Sequence, residues 1–275
     1  EFVVLQDELG LDPGAATARA LGLAEEIRAA LGDKMIIEDQ RYYATTSIGI
    51  ALTAAAPALA SSSDPVHDLL READTAMYHA KARGRNGVAL FEPGMLRDAE
   101  HRLTLERDLG LALDHGGLSL HLQLQVDAQR RPQGAELLMR WRRKDGSSVP
   151  PDQFIPVAES SGLIVPLGEW VLREACLAWH ALVRVGHRLP LSVNVSPMQF
   201  RQPDFVARVE SILQETGVPP GQLVFEITEG LLVDRLDQTV ARMHELAALG
   251  VRISLDDFGT GYSSLAYLTR MPLYE

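Results

Sequence analysis

Oxygen-bearing side chains end several apolar segments in the second half of the chain. They are Asn194 after Leu-Ser-Val, Glu226 and Glu229 in Leu-Val-Phe-Glu-Ile-Thr-Glu, and Asp256 and Asp257 after Ile-Ser-Leu. Carboxylate and amide oxygens are the ligands that hard cations such as Mg²⁺ or Mn²⁺ prefer. Carboxylates crowded together repel one another, and a cation offsets that repulsion. The pattern predicts a divalent-metal site; the alternative is that each residue caps the helix after its strand.

Glu136 and Arg140 extend this set on an earlier apolar segment. They are four residues apart, so on a strand both side chains point to the same face. Glu136 is expected to join the carboxylates of the predicted site. For Arg140 the competing interpretation is a surface salt bridge, which contributes little to stability.

A strand–helix repeat that begins at residue 118 is expected to position these residues. Strands are predicted at 118–126, 135–141, 191–195, 223–228 and 252–256, and helices at 167–185, 205–216 and 236–249. Nearly continuous apolar strands favour a mostly parallel sheet and a TIM-like (β/α) barrel, whose site lies at the C-terminal ends of its strands. Five strands do not close an eight-stranded barrel, so we expect it to be C-terminally incomplete. Trp141 and Trp170 are expected in its core.

The first part of the chain predicts a different, smaller α/β sheet domain. Strands are expected at 2–5, 44–52 and 88–91, helices at 15–31 and 66–83, and a loop at 54–64. Pro93 and Gly94 interrupt the pattern before a charged amphipathic helix at 96–113. We therefore predict two domains, 1–94 and 95–275, the first of them N-terminally incomplete.

Composition narrows the classes of function. The chain has 275 residues, 46% of them hydrophobic, and its 26 Lys and Arg against 37 Asp and Glu give a net charge of −11. This charge repels a phosphate backbone and an anionic bilayer, so we expect no nucleic-acid polymer and no membrane contact within these residues. A single cysteine, Cys176, suits a reducing compartment, and the predicted location is cytoplasmic, with any membrane tether N-terminal to these residues.

The motifs resemble the EAL family of cyclic di-GMP phosphodiesterases. Glu-Leu-Leu at 136–138, Ser-Val-Asn-Val-Ser at 192–196, Phe-Glu-Ile-Thr-Glu at 225–229 and Asp-Asp-Phe-Gly-Thr-Gly-Tyr-Ser-Ser-Leu at 256–265 follow that family's order and spacing. The segment before them resembles the end of a GGDEF domain, the diguanylate cyclase fold, through Ser-Ile-Gly-Ile-Ala at 47–51 and the stretch 73–86. Together these similarities cover essentially the whole chain.

The resemblance implies hydrolysis of cyclic di-GMP to linear pGpG with two divalent cations, Mg²⁺ or Mn²⁺. Two such cations activate water, bridge the scissile phosphate and stabilise the leaving oxygen. The implied roles are listed here: metal ligands Glu136, Asn194, Glu226, Asp256 and Asp257; catalytic residues Glu136, Asp256, Asp257 and Glu229, the last steadying the loop after the Asp pair; substrate-binding residues Arg140 and Gln123. It also implies a homodimer and, beyond residue 275, a catalytic Lys and a further metal-binding Glu.

In the GGDEF segment the resemblance implies that Lys81 and Arg85, one helical turn apart, contact the triphosphate of GTP. A solvated helix end is the stronger interpretation of this pair, because the phosphate loop of that domain would precede Glu1. GTP is therefore an additional candidate ligand, either as substrate of a diguanylate cyclase or as the ligand of a regulatory domain.

Two departures from the family pattern keep another function open. Leu137 replaces the family's Ala, and Leu122-Gln123-Leu124 replaces Tyr-Gln-Pro on the first barrel strand. We expect these changes to alter packing around the guanine pocket while leaving the metal ligands in place. The alternative function is an inactive module that binds cyclic di-GMP or a protein partner.

Overall fold

The structure is a computed structural model of the chain. It describes residues 2–32, 35–37, 40–42, 44–53, 64–82, 84–233, 236–256 and 269–274. The chain forms two compact units, Glu1–Thr104 and Leu105–Glu275. The boundary after residue 94 stays a prediction, because one helix, α3 (Pro93–His115), runs through both positions. None of the described helices is long and apolar enough to cross a membrane.

The described residues of the first unit form two helices and two small strand pairs before α3. Its elements are α1 (Pro13–Gly32), β1 (Met35–Ile37), β2 (Gln40–Tyr42), β3 (Ile48–Ile50), α2 (Pro65–Ala82) and β4 (Val88–Leu90). Strands β1 and β2 are antiparallel, and β3 and β4 are parallel. Gly49 lets α2 approach β3, because a Cβ there would lie 2.0 Å from the carbonyl oxygen of Ala73.

Two expectations for this unit need correction, and one strand pair was not predicted. Residues 2–5 form no strand, and Phe2 is fully exposed; a strand needs a neighbour to pair with and a face to bury, and these residues have neither in the described chain. Only Ile48–Ile50 of the segment 44–52 pairs as a strand. The hairpin of β1 and β2 was not expected from the sequence. The predicted loop at 54–64 lies outside the described residues except for Asp64.

The second unit is built on one sheet with helices between its strands. Its elements after α3 are β5 (Leu118–Val126), β6 (Pro132–Arg142), β7 (Ser148–Val149), α4 (Pro151–Ser161), α5 (Ile164–Arg184), β8 (Leu191–Asn194), α6 (Pro197–Phe200), α7 (Phe205–Thr216), a 3₁₀ turn (Pro220–Gln222), β9 (Leu223–Thr228), α8 (Gly230–Val233), α9 (Leu236–Leu249) and β10 (Arg252–Asp256). The sheet order is β10-β9-β8-β6-β5, and β7 pairs with β6.

The mixed α/β class and the mostly parallel sheet are confirmed. Strands β6, β8, β9 and β10 run parallel to one another, whereas β5 and β7 are antiparallel to β6. The reason for the antiparallel β5–β6 pair is local. Asp127 Oδ1 accepts the backbone N–H groups of Gln129 and Arg131, both at 2.9 Å, and closes a turn too short for a parallel crossover. Helix α4 was not predicted from the sequence.

Alternation along the parallel strands divides the sheet into two faces. One face is the core, on which α5, α7 and α9 pack; its strand residues are Ala135, Leu137, Leu191, Val193, Leu223, Phe225, Ile227 and Ile253. The opposite face carries the residues between them, including Glu136, Ser192 and Glu226. The apolar face thus fixes the register and presents the polar set together on the other side.

Candidate functional site

The sheet register brings three of the predicted site residues side by side. Glu136 on β6 pairs with Ser192 on β8, and Asn194, at the end of β8, pairs with Glu226 on β9. Because these strands are adjacent and parallel, side chains of the polar face converge there. Asp256 ends β10, the next strand along, where it pairs with Thr228.

A hydrogen bond joins the first two of these side chains. Asn194 Nδ2 donates to Glu136 Oε1 at 2.8 Å. This bond uses the amide nitrogen of Asn194 and leaves its carbonyl oxygen for another partner. Two residues 58 positions apart in the chain therefore form one polar pair on the sheet.

Glu226 is the carboxylate of the described site on which the charges of Glu136 and Asp256 both act. Burial raises the pKa of its carboxyl above the usual value, and the negative charges of Glu136 and Asp256 raise it further. Hydrogen bonds from Ser192 and Gln125 act in the opposite direction. A carboxyl destabilised in this way favours either a proton or a bound cation.

Gln125 is a site residue that the sequence analysis missed. Its Nε2 lies 3.4 Å from Glu226 Oε1. Space for this side chain comes from Gly134, opposite Gln125 on β6, since a Cβ there would lie 2.8 Å from Gln125 Oε1. The available signal was its spacing of two residues from Gln123, which puts both amides on the same face of β5.

The remaining carboxylates have different surroundings. Asp256 is exposed at the end of β10. Glu229 is buried, with 8% of its surface exposed, directly after β9. Asp257 and the loop that follows it lie outside the described residues, so its predicted role stays a prediction.

Arg140 and Gln123 lie on the same side as Glu136. Arg140 is partly buried two pleats further along β6, and its Nη1 donates to the carbonyl oxygen of Met139 at 2.9 Å. Gln123 is exposed and pairs with Glu136 in the β5–β6 register. Trp141 points the other way into a second core cluster with only 1% exposed, as predicted, and Trp170 packs partly buried against both clusters.

The two departures from the motif pattern lie on other faces than the polar set. Leu137 is 3% exposed and belongs to the core under the helices. Leu122 and Leu124 are 45% and 59% exposed on the side of β5 opposite Gln123. Alternation along each strand turns these side chains away from Glu136, and their expected effect on packing around a guanine pocket stays a prediction.

The donor set fits a hard cation in type. Glu136, Asn194, Glu226 and Asp256 offer only oxygen as ligand atoms, and the mutual repulsion of the carboxylates is the kind that a divalent ion removes. Within the part of the chain that the structure describes, however, no group of three or more His, Cys, Asp or Glu side chains is arranged to hold a metal ion. The described residues thus supply part of a ligand set.

Comparison with protein families decides which family has this arrangement. The model of the EAL domain matches residues 106–274, which include every part of the polar set described above. The chain belongs to the EAL family. Residues 1–87 match the model of the diguanylate cyclase GGDEF domain, so the EAL domain here follows a GGDEF segment.

Relatives of this EAL protein are longer chains. It is 40% identical over 260 residues to the bifunctional diguanylate cyclase/cyclic di-GMP phosphodiesterase MucR of Pseudomonas aeruginosa, covering 94% of this chain and 37% of MucR. It is 34% identical to the cyclic di-GMP phosphodiesterase NbdA of the same organism, covering 91% of this chain and 32% of NbdA. The chain thus spans about a third of the length of these relatives.

Solved structures show the same fold for the EAL domain. The phosphodiesterase of MucR in complex with cyclic di-GMP superimposes with a TM-score of 0.60 at 41% identity, covering 62% of this chain and 70% of that one. The EAL enzyme Bd1971, in its cAMP-bound form, gives 0.58 at 27% identity, covering 78% of this chain and 55% of that one. The predicted TIM-like barrel class is confirmed, since these neighbours are EAL domains.

The two predicted cations of the GGDEF segment lie exposed on either side of the end of α2, as the interpretation of a solvated helix end predicts. Lys81 lies exposed in the last turn of α2. Arg85 lies beyond the helix, which ends at Ala82, in a left-handed turn with φ 60° after Gly84 at φ 116°. Its backbone N–H still donates to the carbonyl oxygen of Lys81 at 3.3 Å. The pair flanks a helix end instead of sharing one helix face, because glycine favours the left-handed turn that stops the helix.

Proposed function

We propose that the EAL domain hydrolyses cyclic di-GMP to linear pGpG with two divalent cations, Mg²⁺ or Mn²⁺, in bacterial second-messenger signalling. The observation that carries the proposal is the convergence of Glu136, Asn194 and Glu226 on one face of the sheet. Their charges and hydrogen bonds make that face a place where a cation is favoured. The similarity to MucR and NbdA, both named as cyclic di-GMP phosphodiesterases, supports the substrate and the reaction class.

Each residue has a role in this proposal. The ligands of the cations would be Glu136, Asn194, Glu226, Asp256 and Asp257. When bound, the cations supply an activated water and stabilise negative charge on the phosphate. Arg140 and Gln123 bind and orient the substrate from the same face, and Arg140 offers a guanidinium whose geometry suits phosphate oxygens. Glu229, buried beside β9, steadies the loop that follows the Asp pair.

The test is a hydrolysis assay on the natural protein that contains these residues. Cyclic di-GMP and Mn²⁺ are supplied, pGpG is followed by chromatography, and a chelator serves as the metal-free arm. Glu136→Gln should lower the rate by at least about a hundredfold, because several kcal/mol of charge stabilisation depend on the metals. Glu245→Gln, on the exposed face of α9, is the matched control. Unchanged hydrolysis in Glu136→Gln would contradict the proposal.

The alternative, a module that binds cyclic di-GMP or a protein without hydrolysis, predicts a different result in the same assay. A folded protein that binds the dinucleotide and yields no pGpG would support it. Its motivation from the sequence is weaker in the structure, since Leu122, Leu124 and Leu137 face away from Glu136.

GTP binding, a homodimer and a cytoplasmic location are three further proposals. GTP binding near Lys81 and Arg85, as a cyclase substrate or as a regulatory ligand, is tested by GTP titration of the natural protein. A homodimer is tested by light scattering. Cytoplasmic location is tested by fractionation of the cells that produce the protein.

A further inference from the structure

The turn after β8 connects Asn194 to a hydrogen bond outside the site. Ser196 lies two residues beyond Asn194 and is the N-cap residue of α6. Its Oγ donates to Glu159 Oε1 of α4 at 2.7 Å and accepts the backbone N–H of Met198 at 3.2 Å. One hydroxyl thus ties the turn to a neighbouring helix and caps α6.

The rest of this turn is held from other directions. Val195 is 4% exposed, and its backbone N–H donates to the carbonyl oxygen of Glu226 at 2.9 Å. Phe200, 1% exposed, ends α6 inside the core, and its carbonyl oxygen accepts a hydrogen bond from Arg242 of α9. The backbone from Val195 to Phe200 is therefore a short turn held at both ends, and the Ser196 hydroxyl links this turn to α4.

Glu159 stands on a rigid support. Its helix, α4, is anchored by Phe154, Val157 and Ala158, all buried in the second core cluster. The helix ends at Gly162, whose N–H donates to the carbonyl oxygen of Glu159 in a left-handed cap. The side chain of Glu159 is partly buried, and its carboxyl accepts the hydrogen bond from Ser196. Its backbone is held by the packed helix α4.

We infer that Glu159 is a positioning residue for Asn194. Its carboxyl holds the Ser196 hydroxyl, and the turn from Ser196 back to β8 holds the Asn194 amide against Glu136. This inference rests on the proposed function, in which Asn194 is a metal ligand. Groups that orient a ligand from outside the metal's own contacts typically change metal affinity by about 10- to 100-fold when they are removed.

The experiment measures Mn²⁺ affinity of the natural protein by the EPR signal of free Mn²⁺, together with kcat and KM. Glu159→Leu removes the acceptor, and Ser196→Ala removes the donor; each should weaken Mn²⁺ binding at least about tenfold. Glu159→Gln keeps an acceptor oxygen and should stay close to wild type. The double variant should bind Mn²⁺ no more weakly than Ser196→Ala, because Ser196→Ala already lacks the bond to Glu159 as well as the cap on Met198.

A matched control separates this effect from general loss of a surface hydrogen bond. Ser211 Oγ donates to Glu215 Oε1 at 2.9 Å on α7, so Ser211→Ala removes a bond of the same type away from the site. It should leave Mn²⁺ affinity unchanged. Thermal unfolding of every variant checks folding, and Ser196→Ala, the smaller change, remains decisive where Glu159→Leu does not fold.

The possible outcomes distinguish this inference from the proposed function. Wild-type Mn²⁺ affinity in folded Glu159→Leu or Ser196→Ala would overturn the inference alone, even with a lowered Tm. Weak binding in Glu159→Gln as well would overturn it too, since the acceptor would not be what matters. A wild-type protein that binds no Mn²⁺ would overturn the proposed function and this inference with it.

Discussion

Glu226 combines partial burial with two neighbouring negative charges, so its ionisation depends on the fold. Its pKa is raised in the folded state, first by burial and then by Glu136 and Asp256. Over the pH interval between the ordinary and the raised value, the folded state binds more protons than the unfolded state. The stability of the metal-free protein therefore falls as pH rises through that interval.

Glu226→Gln should remove this pH dependence. Without metal, the variant should unfold at a higher temperature than the wild type at neutral pH, and the difference should vanish below the ordinary pKa of a glutamate. Thermal unfolding in chelator across pH values measures it, with the exposed Glu245→Gln as control. If the wild type is as stable as the variant at neutral pH, burial and the neighbouring charges do not raise the pKa of Glu226 as stated. Mn²⁺ should then stabilise the wild type and not the variant.

Gln125 gives a second prediction for single residues. Gln125→Leu removes the donor near Glu226, so Mn²⁺ affinity should fall by less than about tenfold, the range of one net hydrogen bond. Gly134→Ala should have the same effect, because its Cβ would displace the Gln125 side chain. Titration with Mn²⁺ measures both, and Gln214→Leu on α7 is the control. If neither variant loses Mn²⁺ affinity, the 3.4 Å contact between Gln125 and Glu226 contributes nothing to Mn²⁺ binding.

At the scale of elements, the packing of α2 on β3 depends on Gly49, which has no side chain. Gly49→Ala would place a Cβ 2.0 Å from the carbonyl oxygen of Ala73 and 2.1 Å from the backbone N of Met77. Because both atoms are backbone, the helix must move, and we expect a loss of about 1–3 kcal/mol or more. Hydrogen exchange of the α2 amides measures this loss.

The matched control for that element is Gly22→Ala in α1. A Cβ at Gly22 has nothing within 4 Å, and alanine favours a helix, so this variant should gain up to about 1 kcal/mol. Equal exchange in both variants would mean that the close approach of α2 and β3 does not exist in solution.

At the scale of the whole chain, the net charge of −11 predicts that a small dinucleotide binds and that a long nucleic acid does not. A long polyanion meets this charge along its length, whereas a small dinucleotide meets only the local groups around Arg140. We expect these 275 residues to show no measurable binding of random-sequence duplex DNA at physiological salt, and to bind cyclic di-GMP under the same conditions. Fluorescence anisotropy with labelled ligands measures both, and tight DNA binding would contradict the charge argument.

The sequence by itself determined the features that depend on local period and motif spacing. Leu191 and Val193 alternate with Ser192 and Asn194, so the division of β8 into a core face and a polar face followed from the pleat. The bounds of α7 and α9 were predicted correctly from apolar spacing. The motifs around Glu136 predicted the EAL family, which the comparison confirmed.

Only the tertiary structure decided the contacts between residues far apart in the chain. The bond of Ser196 to Glu159 and the approach of Gln125 to Glu226 join positions 37 and 101 residues apart. Exposure of Phe2, despite its apolar neighbours, likewise depends on which partners the fold supplies. Periodicity gives the face of a strand, but distances across the sheet depend on register, twist and packing, which the whole chain sets together.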